Sequence, residues 1–195
     1  QTSVNCLIAS GMLLALITAG IDLSVGYNAI LATCLIGVMM QSGITNPFLL
    51  IICAILVSTF CGFMNGTLLT RLDLPHPFVS TLGMKFVLWG LALLITHSQT
   101  IGFANKGIDA VLWIGKATIF PIGFPVCFIL VVIFYILFHI FLNHTPLARQ
   151  IYCVGGNPEA ARMSGIRSKD VLTIVYTISG FMCGVSGIVL AGRLN

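Results

Sequence analysis

The chain has 195 residues, of which 58% are hydrophobic and only 7% are Asp, Glu, Lys or Arg, with a net charge of +4. Soluble domains usually carry about 25% charged residues, so this composition excludes a soluble globular protein and indicates an integral membrane protein. The small positive net charge selects no partner by itself, because orientation in a membrane depends on where the Lys and Arg residues lie.

Six apolar stretches approach the length of about 20 residues that a helix needs to cross a bilayer. In chain order the predicted spans are Val4–Ala19, Val25–Gln41, Pro47–Leu69, Pro77–Ile95, Pro125–Leu142 and Val171–Ala191. The first two are short, as two helices joined by a tight turn would be. The sequence therefore predicts an all-α, polytopic transmembrane helical bundle that forms a single domain over residues 1–195. Because the chain begins without Met and ends abruptly at "AGRLN", we expect it to be a fragment.

The junction between the first two spans has the sequence "GIDLSVG", from Gly20 to Gly26, and Asp22 is the only charged residue or His in the first 70 positions. The two glycines allow the chain to break or turn there. A helix start in lipid must satisfy its free N–H groups. We therefore predict that Asp22 accepts hydrogen bonds from the N–H groups of Ser24 and Val25, at the positive end of the second helix. A direct role of Asp22 in a substrate path is the alternative.

Pairs of glycines four residues apart occur in two spans. "GFMNG" places Gly62 and Gly66 in the third span, and "GFMCG" places Gly180 and Gly184 in the last. Small residues at this spacing let helix backbones approach closely in lipid, so we predict that these faces pack against other helices. Asn65, between the first two glycines, needs a hydrogen-bond partner on another helix or a polar path; we favour the partner helix.

The segment Thr96–Phe124 is too long for a simple turn and too interrupted by Gly and Pro to be a span. Its aromatic residues predict a position at the outer membrane interface, where aromatic rings favour the headgroup level. Two interpretations remain open: a lid or docking surface for an external partner, and an interfacial anchor.

The loop between the last two spans, residues 143–170, predicts a short helix on the cytoplasmic side. It holds four of the nine Lys and Arg residues, which places it in the cytoplasm and "GIDLSVG" toward the same side. The stretch Gly155–Pro158 predicts a turn. Asn157 is a favourable N-cap for a helix that begins at Pro158, and Gly165 is a typical stop. So short a helix has little stability of its own, so we expect it to rest against other structure.

The helix sequence "EAARMSG" resembles the E-A-A-x-x-x-G loop in the membrane subunits of ATP-binding-cassette importers, where it forms the coupling helix that docks on a cytoplasmic ATPase. Three stretches resemble one branch of that family, the ribose/monosaccharide-type permeases, in the expected order: "GIDLSVG", "FVSTLGM" (Phe78–Met84) and "YCVGGNPEAARMSGI" (Tyr152–Ile166). The resemblance covers nearly the whole chain.

The resemblance implies a permease subunit of the bacterial cytoplasmic membrane that translocates a monosaccharide such as ribose. The implied partners are a cytoplasmic ATPase, a second permease subunit and an extracytoplasmic sugar-binding protein, with no nucleic acid among them. It also implies that the permease is not an enzyme and binds no cofactor, since ATP and magnesium belong to the ATPase. In keeping with this, the sequence has no phosphate-binding G-x-x-x-x-G-K-[ST] motif.

Two other functions remain open. An ion-coupled secondary transporter would need carboxylates near the membrane centre, and only Asp22 qualifies. A non-transporting membrane assembly subunit would bind the ATPase without any flux of substrate. A metal site is not expected, because the seven Cys and four His are dispersed along the chain.

The matched motifs imply roles for particular residues. The ATPase-coupling set comprises Gly155, Gly156, Asn157, Glu159, Ala160, Ala161, Arg162 and Gly165. Candidates for a substrate path, chosen by family position and polarity, are Asp22, Ser24, Asn28, Asn65, Ser80 and Thr81. Polar residues in such positions are more often helix caps or interhelical hydrogen bonds.

Three residues depart from the family pattern. Tyr27 stands where the family commonly has a small residue, Trp89 where many members have an Arg, and Ala148 where a Gly often precedes Arg149. Lys85 lies one helical turn before Trp89 and can supply the cation. We expect the departures at Tyr27 and Trp89 to alter either the substrate path or a helix contact.

Overall fold

A computed structural model describes residues 2–72, 74, 76–102, 109–119 and 123–194, without the side chains of residues 109, 110 and 112. Within these ranges the chain forms nine helices and one two-stranded antiparallel hairpin. The helices are α1 (Thr2–Ile17), α2 (Val25–Gln41), α3 (Pro47–Arg71), α4 (Pro77–Ile95), α5 (Asp109–Lys116), α6 (Val126–His144), α7 (Pro146–Gly156), α8 (Pro158–Met163) and α9 (Ser168–Arg193). The strands are β1 (Thr118–Ile119) and β2 (Phe124–Pro125), in the register Thr118 to Pro125 and Ile119 to Phe124.

The predicted all-α membrane bundle is confirmed. Among the described residues, α3, α4, α6 and α9 are long and apolar enough to cross a membrane. The first two predicted spans form the shorter apolar helices α1 and α2, of 16 and 17 residues. Local signals account for several helix starts. For example, the Asn46 side chain accepts hydrogen bonds from the N–H groups of Phe48 and Leu49, and Pro47 occupies the first helical position of α3.

The helix α9 forms the centre of the bundle. In its most apolar window 72% of the residues are buried, against 11% in α6. Its main neighbours are α1, α2, α3 and α5. The buried positions of α9 include many small residues, which let several backbones approach one helix at once; they are Ser179, Gly180, Cys183, Gly184, Ser186, Gly187, Ala191 and Gly192.

One of the close approaches joins α3 to α9 at Gly62 and Gly180. A Cβ atom built on Gly62 would lie 2.8 Å from the Cα of Gly180, and the reverse distance is also 2.8 Å. One turn away on either side, a Cβ on Gly66 would lie 2.9 Å from the Cα of Thr173, and one on Gly184 would lie 3.0 Å from the Cα of Ile55. No side chain fits between the two helices at these positions without moving a backbone.

The outer faces of α3, α4 and α6 are apolar and exposed. α3 exposes 75% of Phe48 and 61% of Phe60, and most of α6 is likewise uncovered. An apolar surface this extensive is unusual for a protein in water and is typical of contact with lipid. Other exposed members of the surface are Ile52, Leu56, Phe63, Phe78, Phe86, Trp89, Leu94, Ile133, Ile136 and Ile140.

The predicted interfacial segment, Thr96–Phe124, contributes a helix to the core. Val111 of α5 is only 1% exposed and belongs to one buried cluster with residues of α2, α3 and α9. Trp113 on the same helix is 61% exposed. Residues 103–108 and 120–122 of this segment lie outside the described part of the chain, and the choice between a lid and an anchor stays a prediction.

Candidate functional site

The carboxylate of Asp22 lies buried between α1 and α2, with 3% of the residue exposed. Its Oδ1 atom accepts hydrogen bonds from the N–H of Ser24 at 3.0 Å and from the hydroxyl of Ser24 at 2.6 Å. Its Oδ2 atom accepts from the hydroxyl of Ser179, in the middle of α9, at 3.0 Å. All of these donors are neutral. Among the described residues Asp22 forms no ion pair, so hydrogen bonds alone offset the cost of burying the carboxyl group.

This geometry changes part of the predicted cap. The bond from the Ser24 N–H is present, but the other donors in the described structure are hydroxyl groups rather than the N–H of Val25. The N-cap residue of α2 is Ser24 itself, and its side chain makes no cap bond. Asp22 therefore joins the junction to α9 in addition to supporting the start of α2.

The chain breaks between α1 and α2 as predicted, but neither of the two glycines has a positive φ. The residue with a positive φ is Ala19, at 56°. The N–H groups of Ala19 and Gly20 bond the carbonyls of Leu16 and Ala15, an arrangement typical of a helix end. Gly20 instead permits a close contact, because a Cβ there would lie 2.8 Å from the hydroxyl of Tyr176. A Cβ on Gly26 would meet no atom within 4 Å.

The remaining substrate-path candidates extend the polar cluster. The Asn65 amide donates to the Ser24 hydroxyl at 3.4 Å, and the Ser80 hydroxyl donates to the Asn65 side-chain oxygen at 2.8 Å. The Thr81 hydroxyl bonds the carbonyl of Ile21 at 3.1 Å. These bonds connect the junction to α3 and α4. The side chains are all at most 8% exposed, so a substrate reaches them only if the helices separate.

Two buried polar atoms near this cluster have no hydrogen-bond partner among the described residues: the hydroxyl of Tyr176 and the side-chain oxygen of Asn28. The amide of Asn28 does bond the carbonyl of Ser58, at 3.1 Å. Tyr176 and Ser179 were not among the sequence candidates. The sequence does contain a signal that Ser179 lies at a helix contact, because it directly precedes Gly180, one of the predicted packing glycines.

The loop helix α8 has the ends that the sequence predicts. The side chain of Asn157 accepts from the N–H groups of Glu159 and Ala160 at 3.0 and 3.1 Å. Gly165 has a φ of +82°. Its N–H bonds the carbonyl of Arg162 and the N–H of Ile166 bonds that of Ala161, which together form a Schellman motif.

The turn predicted over Gly155–Pro158 is present but shorter, because Gly155 and Gly156 belong to the last turn of α7 and the chain turns at Asn157. The helix α7 begins with Thr145 as its N-cap, whose hydroxyl accepts from the N–H of Ala148 at 3.2 Å. The sequence did not predict α7, because its apolar face is much shorter than that of a membrane span. Gly155 lies against the carbonyl of Ile17, at the end of α1.

The predicted coupling residues lie on different sides of α8. Ala161 is 3% exposed and belongs to a buried cluster with Ile151, Val171 and Tyr176. Glu159, Ala160 and Arg162 are exposed, and the two charged side chains form an ion pair of 2.8 Å. α8 therefore rests on the bundle through Ala161 and presents its charged face outward.

Two of the departures from the family pattern, Tyr27 and Trp89, lie next to each other. The rings of Tyr27 on α2 and Trp89 on α4 are 6.3 Å apart and tilted by 55°. The ammonium group of Lys85 lies 5.3 Å from the centre of the Tyr27 ring, within the range of a cation–π contact. The departures thus form a helix contact between α2 and α4.

Residues 1–195 match the sequence profile of a family described as the permease component of the branched-chain amino acid transport system. The chain is 33% identical over 203 residues to the fructose import permease protein of Rhizobium meliloti, a match covering 100% of this chain and 55% of that protein. It is 33% identical over 195 residues to the ribose import permease protein of Bacillus subtilis, covering 100% and 59%.

A third relative is the D-allose transport system permease protein of Escherichia coli, 36% identical over 197 residues, with 100% of this chain and 58% of that protein covered. The chain therefore spans a little more than half the length of these curated relatives. No solved structure matches it.

Proposed function

Since the chain belongs to the family of transport-system permease components, we propose that it forms part of the membrane permease subunit of an ATP-binding-cassette importer that translocates a monosaccharide. The class of substrate follows from the relatives, whose names specify fructose, ribose and allose. The proposed partners are a cytoplasmic ATPase, a second permease subunit and an extracytoplasmic sugar-binding protein. The permease catalyses no reaction, and ATP with its magnesium is bound by the ATPase.

The observation that carries the proposal is the placement of α8. Its exposed face bears Glu159 and Arg162, and its buried face contacts the bundle through Ala161. The cluster around Ala161 includes Tyr176 of α9, whose hydroxyl approaches Gly20 in the Asp22 junction. A force applied to α8 by an ATPase would thus act on α9 and on the junction through packed side chains.

The mechanism assigns a role to the buried polar cluster. In the packing described here, hydrogen bonds from Ser24, Ser179, Asn65 and Ser80 hold the junction, α3, α4 and α9 together. Movement of α8 and α9 would separate these groups and free hydroxyl and amide groups to bond the hydroxyls of a passing sugar. The Asn28 oxygen and the Tyr176 hydroxyl have no hydrogen-bond partner among the described residues, so they would gain most from such a rearrangement.

The proposal is tested by uptake into vesicles that contain the full-length permease, its ATPase and its binding protein. We expect accumulation of labelled ribose, fructose or allose to require ATP hydrolysis and to persist when ionophores collapse the ion gradients. Uptake that follows an ion gradient without ATP would instead identify a secondary transporter. Binding of the ATPase with no flux of any tested sugar would identify an assembly subunit.

Replacing Gly165 with valine is expected to abolish substrate-stimulated transport while membrane insertion remains intact. Gly165 has a φ of +82°, and the left-handed region costs a residue with a Cβ atom roughly 1–2 kcal/mol. The strain acts on α8, a six-residue helix with little stability of its own. The measurement is sugar uptake and sugar-stimulated ATP hydrolysis in vesicles, with insertion checked by membrane fractionation.

Gly43, two residues after the C-terminal end of α2, offers a matched control for Gly165. It has a φ of +84°, and its own N–H and that of Ile44 bond the carbonyls of Met40 and Met39 in the same Schellman pattern. A Cβ on either glycine would meet no atom within 4 Å. We expect Gly43→Val to keep most of its transport. Normal transport by Gly165→Val, or an equal loss in both variants, would contradict a coupling role for α8.

A further inference from the structure

Lys85 is a cation near the middle of a membrane span. It lies close to the centre of the 19-residue helix α4 and is half-buried. The nearer end of the helix is about 12 Å away along the axis, at a rise of about 1.5 Å per residue. Within the described part of the chain Lys85 forms no ion pair and no hydrogen bond. Its ammonium group lies 5.3 Å from the centre of the Tyr27 ring and 5.7 Å from that of Phe86.

A second helix gives the same depth for this cation. Tyr27 directly precedes Asn28, whose amide bonds the carbonyl of Ser58 near the middle of the 25-residue span α3. Both partners of the cation–π contact therefore lie near the membrane centre. A charged side chain at this depth is costly in lipid, and such residues usually face the bundle interior or a water-filled space. The side of α4 that carries Lys85 therefore borders water.

Two further polar groups next to Lys85 are available to a ligand. The Tyr27 hydroxyl and the Trp89 indole N–H have no hydrogen-bond partner among the residues that the structure describes. Tyr27 is half-buried and Trp89 is 47% exposed, so neither ring is sealed inside the bundle. Three donors and two aromatic rings thus meet at one place near the membrane centre, a combination typical of small-molecule sites.

A cavity of about 280 Å³ lies at the far end of α4, between α2, the segment that follows α4 and the last residues of α9. Because α9 begins beside α8 and ends here, the cavity is on the side of the bundle away from α8. Its volume is close to the lower limit of about 300 Å³ for small-molecule pockets, which suits a monosaccharide. Its lining includes Gln99 and Thr100, whose exposed side chains form no hydrogen bond to any described residue.

One groove joins this cavity to the rings beside Lys85. Tyr27 and Cys34 of α2 are seven positions apart, as are Trp89 and Thr96 of α4. Residues at this spacing lie on one side of a helix, two turns apart. Tyr27 and Trp89 are in ring contact at 6.3 Å, and Cys34 and Thr96 both line the cavity. We call the surface defined by these four residues the α2–α4 groove.

We propose that the α2–α4 groove is the entry path of a monosaccharide and that Lys85, Tyr27 and Trp89 bind the sugar at its deep end. This inference rests on the proposed transport function. The C–H face of the sugar ring stacks on Trp89, whose ring face is partially negative. The ammonium group of Lys85 donates to the sugar hydroxyl oxygens. Thr81, one turn before Lys85, bonds the Asp22 junction, so the site leads on to the buried polar cluster.

Thiol labelling of Cys34 tests the groove without any need for transport. The full-length permease in sealed, right-side-out vesicles is treated with a charged, membrane-impermeant methanethiosulfonate, which reacts with the thiolate that forms in water. We expect mass-spectrometric peptide maps to show label on Cys34 and none on Cys53, an equally half-buried cysteine of the membrane span α3. Cys34→Ser should remove the signal.

Uptake of labelled ribose, fructose or allose into vesicles with the ATPase and the binding protein tests the deep site. Lys85→Met removes the charge and should lower the uptake rate about tenfold or more. Trp89→Ala should lower it about threefold or more. Lys85→Arg keeps the donors, and Val87→Ala lies on the opposite side of α4, so both should stay close to the wild type. Thermal unfolding and basal ATP hydrolysis of Lys85→Met should be unchanged.

Several outcomes would overturn the assignment. Labelling of Cys34 by a membrane-permeant maleimide but not by the charged reagent would show that lipid or another helix fills the groove. Unchanged uptake in Lys85→Met, or an equal loss in Val87→Ala, would exclude the deep site. Dissociation of the subunits by Lys85→Met but not by Lys85→Arg would show that Lys85 pairs with a carboxylate of a partner subunit. If wild-type vesicles take up none of the three sugars, the transport function fails, and labelling of Cys34 still decides whether the groove admits water.

Discussion

Replacing Gly62 with leucine is expected to prevent assembly of the bundle, because α3 and α9 are in backbone contact at this position. A Cβ on Gly62 would lie 2.8 Å from the Cα of Gly180 and even closer to the carbonyl oxygen of Tyr176. Real Cβ atoms do not approach backbone atoms so closely, so the helices must separate along their whole contact. Overpacking by a few methyl groups typically costs about 1–3 kcal/mol, and a Leu side chain adds more.

The smaller change Gly62→Ala allows a quantitative test by thermal unfolding of the detergent-purified full-length protein. We expect it to lower the free energy of unfolding by about 1–3 kcal/mol. Gly90→Ala on α4 is the control, because a Cβ there meets no atom within 4 Å. An Ala in the interior of a helix is favoured over Gly by about 0.5–1 kcal/mol, so the control should be slightly more stable than the wild type.

A double variant tests whether Gly62 and Gly180 are in direct contact with each other or each only crowds its own surroundings. Once an added methyl group at Gly62 has moved the helices apart, a second one at Gly180 has more room. The double variant Gly62→Ala with Gly180→Ala should therefore cost less than the sum of the two single variants. Strict additivity, or a Gly62→Ala protein as stable as Gly90→Ala, would contradict the close contact between α3 and α9.

The second large effect is expected at Asp22, where alanine and asparagine should behave differently. Alanine leaves three donors without their acceptor: the N–H and hydroxyl of Ser24 and the hydroxyl of Ser179. A buried donor without a partner costs about 1–3 kcal/mol, so Asp22→Ala should lose about 3 kcal/mol or more of stability. Its measured loss in thermal unfolding should exceed that of Gly62→Ala.

Asparagine retains most of the bonds. Its side-chain oxygen can accept from the two Ser24 donors, and its amide can donate to the Ser179 hydroxyl or to the Tyr176 hydroxyl. We therefore expect Asp22→Asn to unfold within about 1 kcal/mol of the wild type and to retain transport. If it assembles normally but loses flux, the carboxylate acts in the substrate path, and a purely structural role for Asp22 is wrong.

A variant of Ser179 distinguishes the hydrogen bond that Asp22 accepts from α9 from the two that it accepts from Ser24. Ser179→Ala removes only the hydrogen bond to the Oδ2 atom of Asp22 and leaves the two bonds from Ser24. It should cost about 1 kcal/mol, between the effects of Asp22→Asn and Asp22→Ala. This order of stabilities is expected only if Asp22 joins the junction to α9.

Features that depend on neighbouring residues could be predicted from the sequence. The starts of α2, α3 and α4 agree with the predicted spans, and the ends of α8 agree with the signals at Asn157 and Gly165. Caps and helix stops involve residues within about four positions of each other, so the local sequence contains the information. The helix α7 was missed because it is too short and too polar for a span, although Thr145 and Pro146 are a usable start signal.

The position of the break before α2 shows the limit of such local reasoning. The sequence contains two glycines around Asp22, and glycine is the residue that most easily adopts a positive φ. The structure places the positive φ on Ala19, because the last turn of α1 ends there, and it uses Gly20 to admit the hydroxyl of Tyr176. The reason for the glycine lies 156 positions away in the chain.

The sequence alone determined that this protein is a helical membrane bundle of the permease type, because composition, apolar length and contiguous motifs are properties of the chain itself. Three features follow only from the three-dimensional packing of the helices: the contacts of Asp22, the approach of Gly62 to Gly180, and the packing of Tyr27 on Trp89. Hydrogen bonds and backbone contacts between distant residues depend on how the helices are rotated and how deeply they pack. That arrangement arises from all the helices together, and no single stretch of the sequence contains it.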